Sequence, residues 1–459
     1  MSKRSERLFE ALGGVNERKI EKAALAVEKT ANGKRWGRRR WLGAVAAVLS
    51  VAIAVGAFLR PGGGLTAYAI SQAAYPETAQ RRELGDTSAL EAFFARSTQT
   101  FLTEKPGENR VYSPLNVYLA LSMLAQITGG DSRGQILALL GSGSMEELRG
   151  QAGDVWNSTY RNGKTVTSIL ASSLWLNQNI KFNQDTMDAL ARDFYASSYA
   201  GEMGSKGFNR ALQTWLNEQT GGLLEEQADN VELDPTTILA LVTTLYFKAP
   251  WAKEFSKDRT APQTFHTPAG DVETDFLHQR NTGNYYWGDG FTAVNQSFEE
   301  GGSMWFLLPD EGVAPEGLLA GGEGLDFLFT ADKSQWEGQK FSLINKSIPK
   351  FDVSSQFDLG DGLKALGVTD VYDPMRSDFT PMTTGVGGPI TLNQVNHAAR
   401  VVIDEEGCTA AAFTVVGPGE DAAPSDEVDF VLDRPFLFCV TGNGGLPLFV
   451  GVVNYPGGN

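Results

Sequence analysis

Histidine and cysteine are scarce in this chain of 459 residues, with three of the first and two of the second. Scarcity of histidine thins the field of catalytic answers. His266, His278 and His397 stand apart from any serine or cysteine in a known local arrangement, and the chain holds no GxSxG elbow, HExxH helix or GxxxxGK[ST] loop. A triad assembled from distant segments stays open for one of them, but isolated histidines are more often hydrogen-bonded structural residues. An enzyme is therefore not expected, nor is a cofactor or a metal. For the cysteines, an oxidising compartment would permit a bridge. Cys408 lies in a run of small residues and Cys439 in the apolar run FLFCV, so two free thiols are expected.

Beyond residue 60 acidic residues outnumber basic ones. Residues 1–60 carry a net charge of +8 against −16 for the whole chain, which leaves −24 for the remainder. So acidic a surface argues against nucleic acid and against polyanions such as heparin. Charge is absent altogether from Trp41 to Leu59, a stretch long enough to cross a bilayer as a helix. Lys34, Arg35, Arg38, Arg39 and Arg40 precede it, so the positive-inside rule keeps residues 1–40 cytoplasmic. The expected organisation is a basic cytoplasmic segment over 1–40, a single-pass signal anchor in the cell membrane over 41–59 and a linker over 60–86, with the rest of the chain extracellular. A secreted form cut near Leu65 to Ala69 is the alternative. Glu6 to Lys29 has helical rhythm at Leu8, Leu12, Ile20, Ala24 and Val27, with no readable role.

What is abundant is apolar residue, at 42% of the chain, enough for a large core. Ser88 to Leu102 places Leu90, Phe93, Phe94, Phe101 and Leu102 mostly on one helical side. In VYSPLNVYLALSMLAQITGG, Ser113 is a natural N-cap, Pro114 suits the first helical position, and Gly129 with Gly130 marks the end. That helix is apolar almost all round, so it should be buried. β-rich runs follow at Leu239 to Phe247, Ser303 to Leu308, Lys346 to Asp352, Gln394 to Ile403, Arg434 to Val440 and Leu446 to Val453. Helices early and strands late argue for an α+β fold.

Glu405 to Thr414, EEGCTAAAFT, lies between the β-prone Val401 to Ile403 and the turn-rich Gly417 to Asp426. As a strand it would turn Cys408, Ala410, Ala412 and Thr414 to one face, all small, and Thr409, Ala411 and Phe413 to the other. Such a segment could slide between two strands of an existing sheet. Composition alone also fits a flexible linker.

The blocks YSPLNVYLALSMLA, LYFKAPWAKEF, FLLPDEG, IPKFDVSSQFDLGDGLKALGVTDVY, QVNHAARVVIDEEGCTAAAFT and DRPFLFCVTGNGGLPLFVGVV resemble a serpin in order and approximate spacing, from about Thr87 to Pro456. The resemblance implies one serpin domain over 87–459, helices packed on three β-sheets with an exposed reactive loop near the C-terminus, and a monomer. It also implies an inhibitor that traps serine proteases, the alternative being a non-inhibitory serpin acting as an extracellular binding module. Glu405, Glu406, Gly407, Cys408, Thr409, Ala410, Ala411, Ala412, Phe413 and Thr414 resemble the inhibitory hinge. Ser113 and His397 match the polar cluster beneath the opening strands, and Trp251 matches the tryptophan packed where the loop first inserts. Asp433, Arg434, Pro435 and Phe436 match the strand after the loop. Counting along the loop implies a reactive bond between Asp421 and Ala422. Glu420 and Asp421 suit an acid-specific protease, whereas Val416, Ala422 and Ala423 suit an elastase-like one. The departures are Cys408, Thr409 and Phe413 in the hinge and Thr243 in place of a usual Asn. Cys408 also raises redox control of insertion, against the simpler reading of a small apolar residue.

Overall fold

A computed structural model describes residues 67–457, apart from 74, 76–83, 86, 164, 225–227, 230, 331, 384–388, 394 and 409–425. Glu6 to Lys29, Trp41 to Leu59, Thr409 to Thr414 and the Asp421–Ala422 bond thus lie outside the described residues.

Caps and apolar faces account for the helices. α1 (Ser88–Leu102) buries Leu90, Phe93, Phe94, Phe101 and Leu102. In α2 (Pro114–Ile127) the Ser113 hydroxyl accepts the Asn116 N–H at 3.3 Å, Pro114 opens the first turn, and all fourteen residues are buried. The central helix of the fold is therefore the one that is apolar all round. α3 (Gly130–Leu140) starts after a two-residue break, and α4 (Met145–Thr159) is capped by Ser144, which accepts the Glu147 N–H at 3.1 Å. α5 (Gln184–Asp193) and α6 (Lys206–Gln219) complete the longer helices.

The strands begin with β1 (Tyr68–Ser71), β2 (Arg110–Tyr112), β3 (Arg161–Asn162), β4 (Thr167–Asn177), β5 (Ala196–Gly201) and β6 (Leu239–Pro250). Next come β7 (Ala261–Thr267), β8 (Gly270–Gly288), β9 (Phe291–Ser297), β10 (Ser303–Pro309), β11 (Gln339–Pro349) and β12 (Phe351–Asp358). β13 (Asn396–Ile403), β14 (Gly407–Cys408), β15 (Glu427–Val431), β16 (Phe436–Thr441) and β17 (Pro447–Val453) follow. One sheet runs β1-β5-β4-β6-β14-β13-β12 with β3 on β4; the other runs β15-β11-β8-β9-β10-β16-β17-β2 with β7 on β8. β8, nineteen residues long, pairs with β7, β11 and β9 in turn, so two of the sheets expected from the resemblance are hydrogen-bonded into one ribbon.

Two details differ from the sequence reading. Tyr68–Ser71, within the stretch read as linker, adds an antiparallel edge strand to β5. Its four residues are too short to show periodicity. The run Lys346 to Asp352 is divided, β11 ending at Pro349 and β12 opening at Phe351, as expected where proline removes a ladder donor.

Alternation places the first sheet between two apolar layers. On β6, Leu239, Leu241, Leu245, Phe247 and Ala249 belong to the main core, while Ala240 and Val242 join a second cluster with Phe208, Trp215 and Leu216 of α6. On β13, His397, Ala399, Val401 and Ile403 are buried and alternate with less buried residues. Those core-facing rows of β6 and β13 flank the two residues of β14.

Candidate functional site: a strand hinge at the end of the first sheet

β13 ends in a tight turn whose geometry is set by Asp404. Its carboxylate accepts the N–H groups of Glu406 at 2.8 Å and Gly407 at 3.0 Å, and its own N–H donates to the Gly407 carbonyl at 3.0 Å. Asp404 is therefore a turn-forming residue, not the merely solvated one that its polarity suggests. The turn sends the chain back between β13 and β6, where Cys408 lies opposite Ile403 on one side and Ala249 on the other. Gly407 lies opposite Pro250, and a Cβ there would stand 2.7 Å from the Pro250 Cα and meet the Ala249 carbonyl. No side chain fits without moving the strand. Gly407→Val should cost about 1–3 kcal/mol, read as a lower denaturant midpoint of the uncleaved protein with the fold otherwise retained.

Each acidic residue of the hinge is anchored. Glu405 is buried, accepts the Thr260 hydroxyl at 2.8 Å and pairs with Lys350 at 3.1 Å. Burial works to raise its pKa, but hydrogen bonds from the backbone, Thr260 and Lys350 prevail and hold it below the usual carboxylate range. Glu406 makes an exposed pair with Lys257 at 2.6 Å, a contact of small energetic weight. Trp251 closes the region from above. It is buried, stacks on Phe298 with centroids 4.9 Å apart, and donates its indole N–H to the Asp404 carbonyl at 2.9 Å and its backbone N–H to the Glu406 carbonyl at 3.0 Å. Lys350 and Thr260 escaped the sequence reading because their roles appear only beside Glu405.

Cys408 is buried, and desolvation pushes its thiol up to about 12. Cys439 is likewise free, buried and pushed up to about 12. Thiols so protonated and enclosed are poor nucleophiles, which favours the reading of Cys408 as a small apolar residue over redox control.

Deeper in the sheet, β13 carries His397 against the start of α2. The ring Nε2 accepts the backbone N–H of Ser113 at 3.2 Å, so Nδ1 carries the proton of the neutral ring. Burial pushes this imidazole down to about 3. Because the Ser113 hydroxyl caps α2 while its amide occupies the imidazole, the pair is not a nucleophile and its base. Thr243 of β6 is buried nearby in the sheet, opposite Ser172 of β4. His266 is exposed and paired with Asp271 at 2.8 Å. After the loop, Arg434 donates to the Pro309 carbonyl at 3.0 Å and pairs with Asp433, and Phe436 opens β16.

A two-residue strand laddered between β6 and β13 after the Asp404 turn, a helix-capping serine held by a buried histidine, and β15 to β17 in the second sheet fit a serpin architecture. The family profile described as "Serpin (serine protease inhibitor)" matches residues 88–456. The chain belongs to the serpin family. It is 28% identical over 378 residues to Serpin-Z1C of Triticum aestivum, covering 78% of this chain and 93% of that protein. It is 29% identical to Serpin-ZXA of Oryza sativa subsp. japonica, covering 76% and 91%. The native state of tengpin, a thermophilic serpin, superposes with a TM-score of 0.73 at 22% identity, over 84% of this chain and 97% of that one. This last likeness concerns the fold alone.

The expected single-pass placement in a cell membrane is corrected by these findings. No helix among the described residues is long and apolar enough to cross a membrane. The family match begins only at residue 88, and the relatives are Z-type serpins of wheat and Arabidopsis. The span on which the anchor rested, Trp41 to Leu59, lies outside the described residues. Neither the cell-membrane placement nor the secreted one is supported by these findings.

Proposed function

We propose that this serpin inhibits serine proteases by suicide-substrate trapping. The observation that carries the reading is β14: two residues of the hinge are already laddered between β6 and β13. Insertion would therefore extend an existing strand, avoiding the entropy cost of starting a new one.

The protease serine attacks the carbonyl carbon of the scissile residue, proposed as Asp421. The bond to Ala422 breaks, the leaving amine takes a proton from the protease histidine, and an ester joins the two proteins. Cleavage frees the loop to zip into the sheet with the protease attached. Residues 405–421 extend over roughly 55 Å at about 3.3 Å per residue, enough to carry the protease far along the sheet and deform it before water completes deacylation. Loop insertion of this kind adds a strand to the sheet and releases strain stored in the uncleaved fold. The Glu420–Asp421 pair suits a protease with a basic primary pocket, because a buried unpaired carboxylate is rejected elsewhere. Cutting beside Val416, Ala422 or Ala423 would instead indicate an elastase-like target.

The test mixes the full chain with a panel of serine proteases that includes elastases and an acid-specific endopeptidase, followed by a denaturing gel. The expected result is a band near the summed masses that survives denaturant, and sequencing the released peptide assigns the bond. Cleavage of the loop by every protease, with full protease activity retained, would instead make the chain a non-inhibitory binding module.

A further inference from the structure

This inference deepens the insertion reading above and rests on it. Both ladders of β14 are antiparallel, with Cys408 opposite Ala249 on β6 and Ile403 on β13. Each residue further along the hinge therefore meets the preceding residue on both neighbours. Continued without a bulge, this register brings Phe413 between Thr244 and Ala398, and Thr414 between Thr243 and His397.

The faces follow from the same parity. Cys408, Ala249 and Ile403 all belong to the main core, so Thr414 would turn towards the core and Phe413 to the opposite side, beneath α6. A slot already exists there. Its lining includes Thr244 and Ala398 below, with Leu216 of α6 and Leu224, Ala228 and Val231 of the returning chain above. The slot measures about 20 Å³, room for a single water at most. The Thr244 hydroxyl is buried without a partner.

An added strand would part β6 and β13 by about 4.8 Å. That widening would turn the slot into a channel with small residues at its sides and an apolar ceiling. A phenyl ring suits such a space, with the Thr244 hydroxyl free to meet the negative face of the ring. We infer that the slot beneath α6 is the seat of Phe413 in the inserted state, and that this ring, together with the small core-facing residues, holds the inserted strand in register. The bulky hinge residue is on this account a positioning residue, where the small alanines only permit entry.

The test compares the full chain with its Phe413→Ala, Phe413→Leu and Ala398→Trp variants. Each is cut in the loop by a protease that it does not trap, and unfolding midpoints are measured before and after cutting. The wild type is expected to rise strongly on cleavage. Phe413→Ala should start from the same midpoint yet rise by about 5 °C less, with Phe413→Leu recovering most of the difference. Ala398→Trp, which fills the slot in advance, should lose a similar part of the rise. Should that variant fail to fold, the Ala and Leu pair at position 413 decides alone. Equal rises in wild type and Phe413→Ala would overturn the seat. A wild type that does not rise at all would overturn insertion itself, so the two failures are distinguishable.

Discussion

On the trapping mechanism proposed above, Ala412→Arg should turn inhibitor into substrate: the loop is cut at the normal rate, but no protease complex survives denaturant. Continued in the register of β14, residue 412 would lie between Leu245 and Ala399, both buried in the main core. An arginine there must bring its guanidinium into the main hydrophobic core, and leaving a buried charge unpaired costs several kcal/mol. Deacylation then outruns insertion, and the protease escapes. Ala410→Arg should behave alike, because residue 410 would lie between Phe247 and Val401, both also buried in that core. Parity supplies the control. Thr409→Glu falls on the opposite face, between Lys248 and Val402, where Lys248 offers a counter-charge, so complex formation should persist. Complexes surviving both arginine variants would show that the loop does not enter this sheet, whereas loss with Thr409→Glu as well would point to a hinge intolerant of any charge.

The same parity argument was legible in the sequence, and it explains which parts of the molecule were readable. The alternation of EEGCTAAAFT against LALVTTLYF concerns neighbours along a strand, and the SPLN cap of α2 concerns neighbours along a helix. Both are local, so residue order encodes them. The Glu405 cluster is different. Lys350 and Thr260 lie 55 and 145 residues away along the chain, and nothing in the type or spacing of either announces a shared carboxylate. β1 was missed because four residues carry too little pattern to tell a strand from a linker. The division between β11 and β12 was missed because a proline in an apolar run can close a strand or sit at its edge, and only pairing decides between them. Phe413 stood out in the sequence as too large for its place. Its significance needed the register of β14 and the slot beneath α6, neither of which is a property of the hinge sequence.

Acid should destabilise the uncleaved protein through His397 in a pH window separate from that of its carboxylates. Burial among apolar groups pushes this imidazole down to about 3, whereas in the unfolded chain it titrates near 6.5. Above about 6.5 both states are neutral at this site, and the contribution to stability is full. As pH falls below that value the unfolded chain takes up a proton that the folded protein refuses, so stability declines by about 1.4 kcal/mol per pH unit. The decline ends near pH 3, where the folded protein accepts the proton too. Glu405 acts lower: its folded pKa is depressed by net hydrogen bonding and by Lys350, so its contribution is present above the ordinary glutamate range and is lost as pH falls through the folded value. Between pH 6.5 and 5, therefore, His397 can be followed apart from Glu405. Urea unfolding across that interval should show, in the wild type relative to a variant without this imidazole, an added slope that grows towards one proton. His397→Gln keeps an acceptor for the Ser113 amide but cannot titrate, and should flatten the slope by that proton. An unchanged slope in the variant would mean that the buried ring is not the group that resists protonation. The consequence reaches the mechanism, because protonating His397 removes the acceptor that the Ser113 amide uses at 3.2 Å. That hydrogen bond ties β13 to the start of α2 and persists while the folded ring stays neutral, so only near pH 3, where the folded protein accepts the proton, should β13 loosen from α2 and the barrier to spontaneous insertion fall.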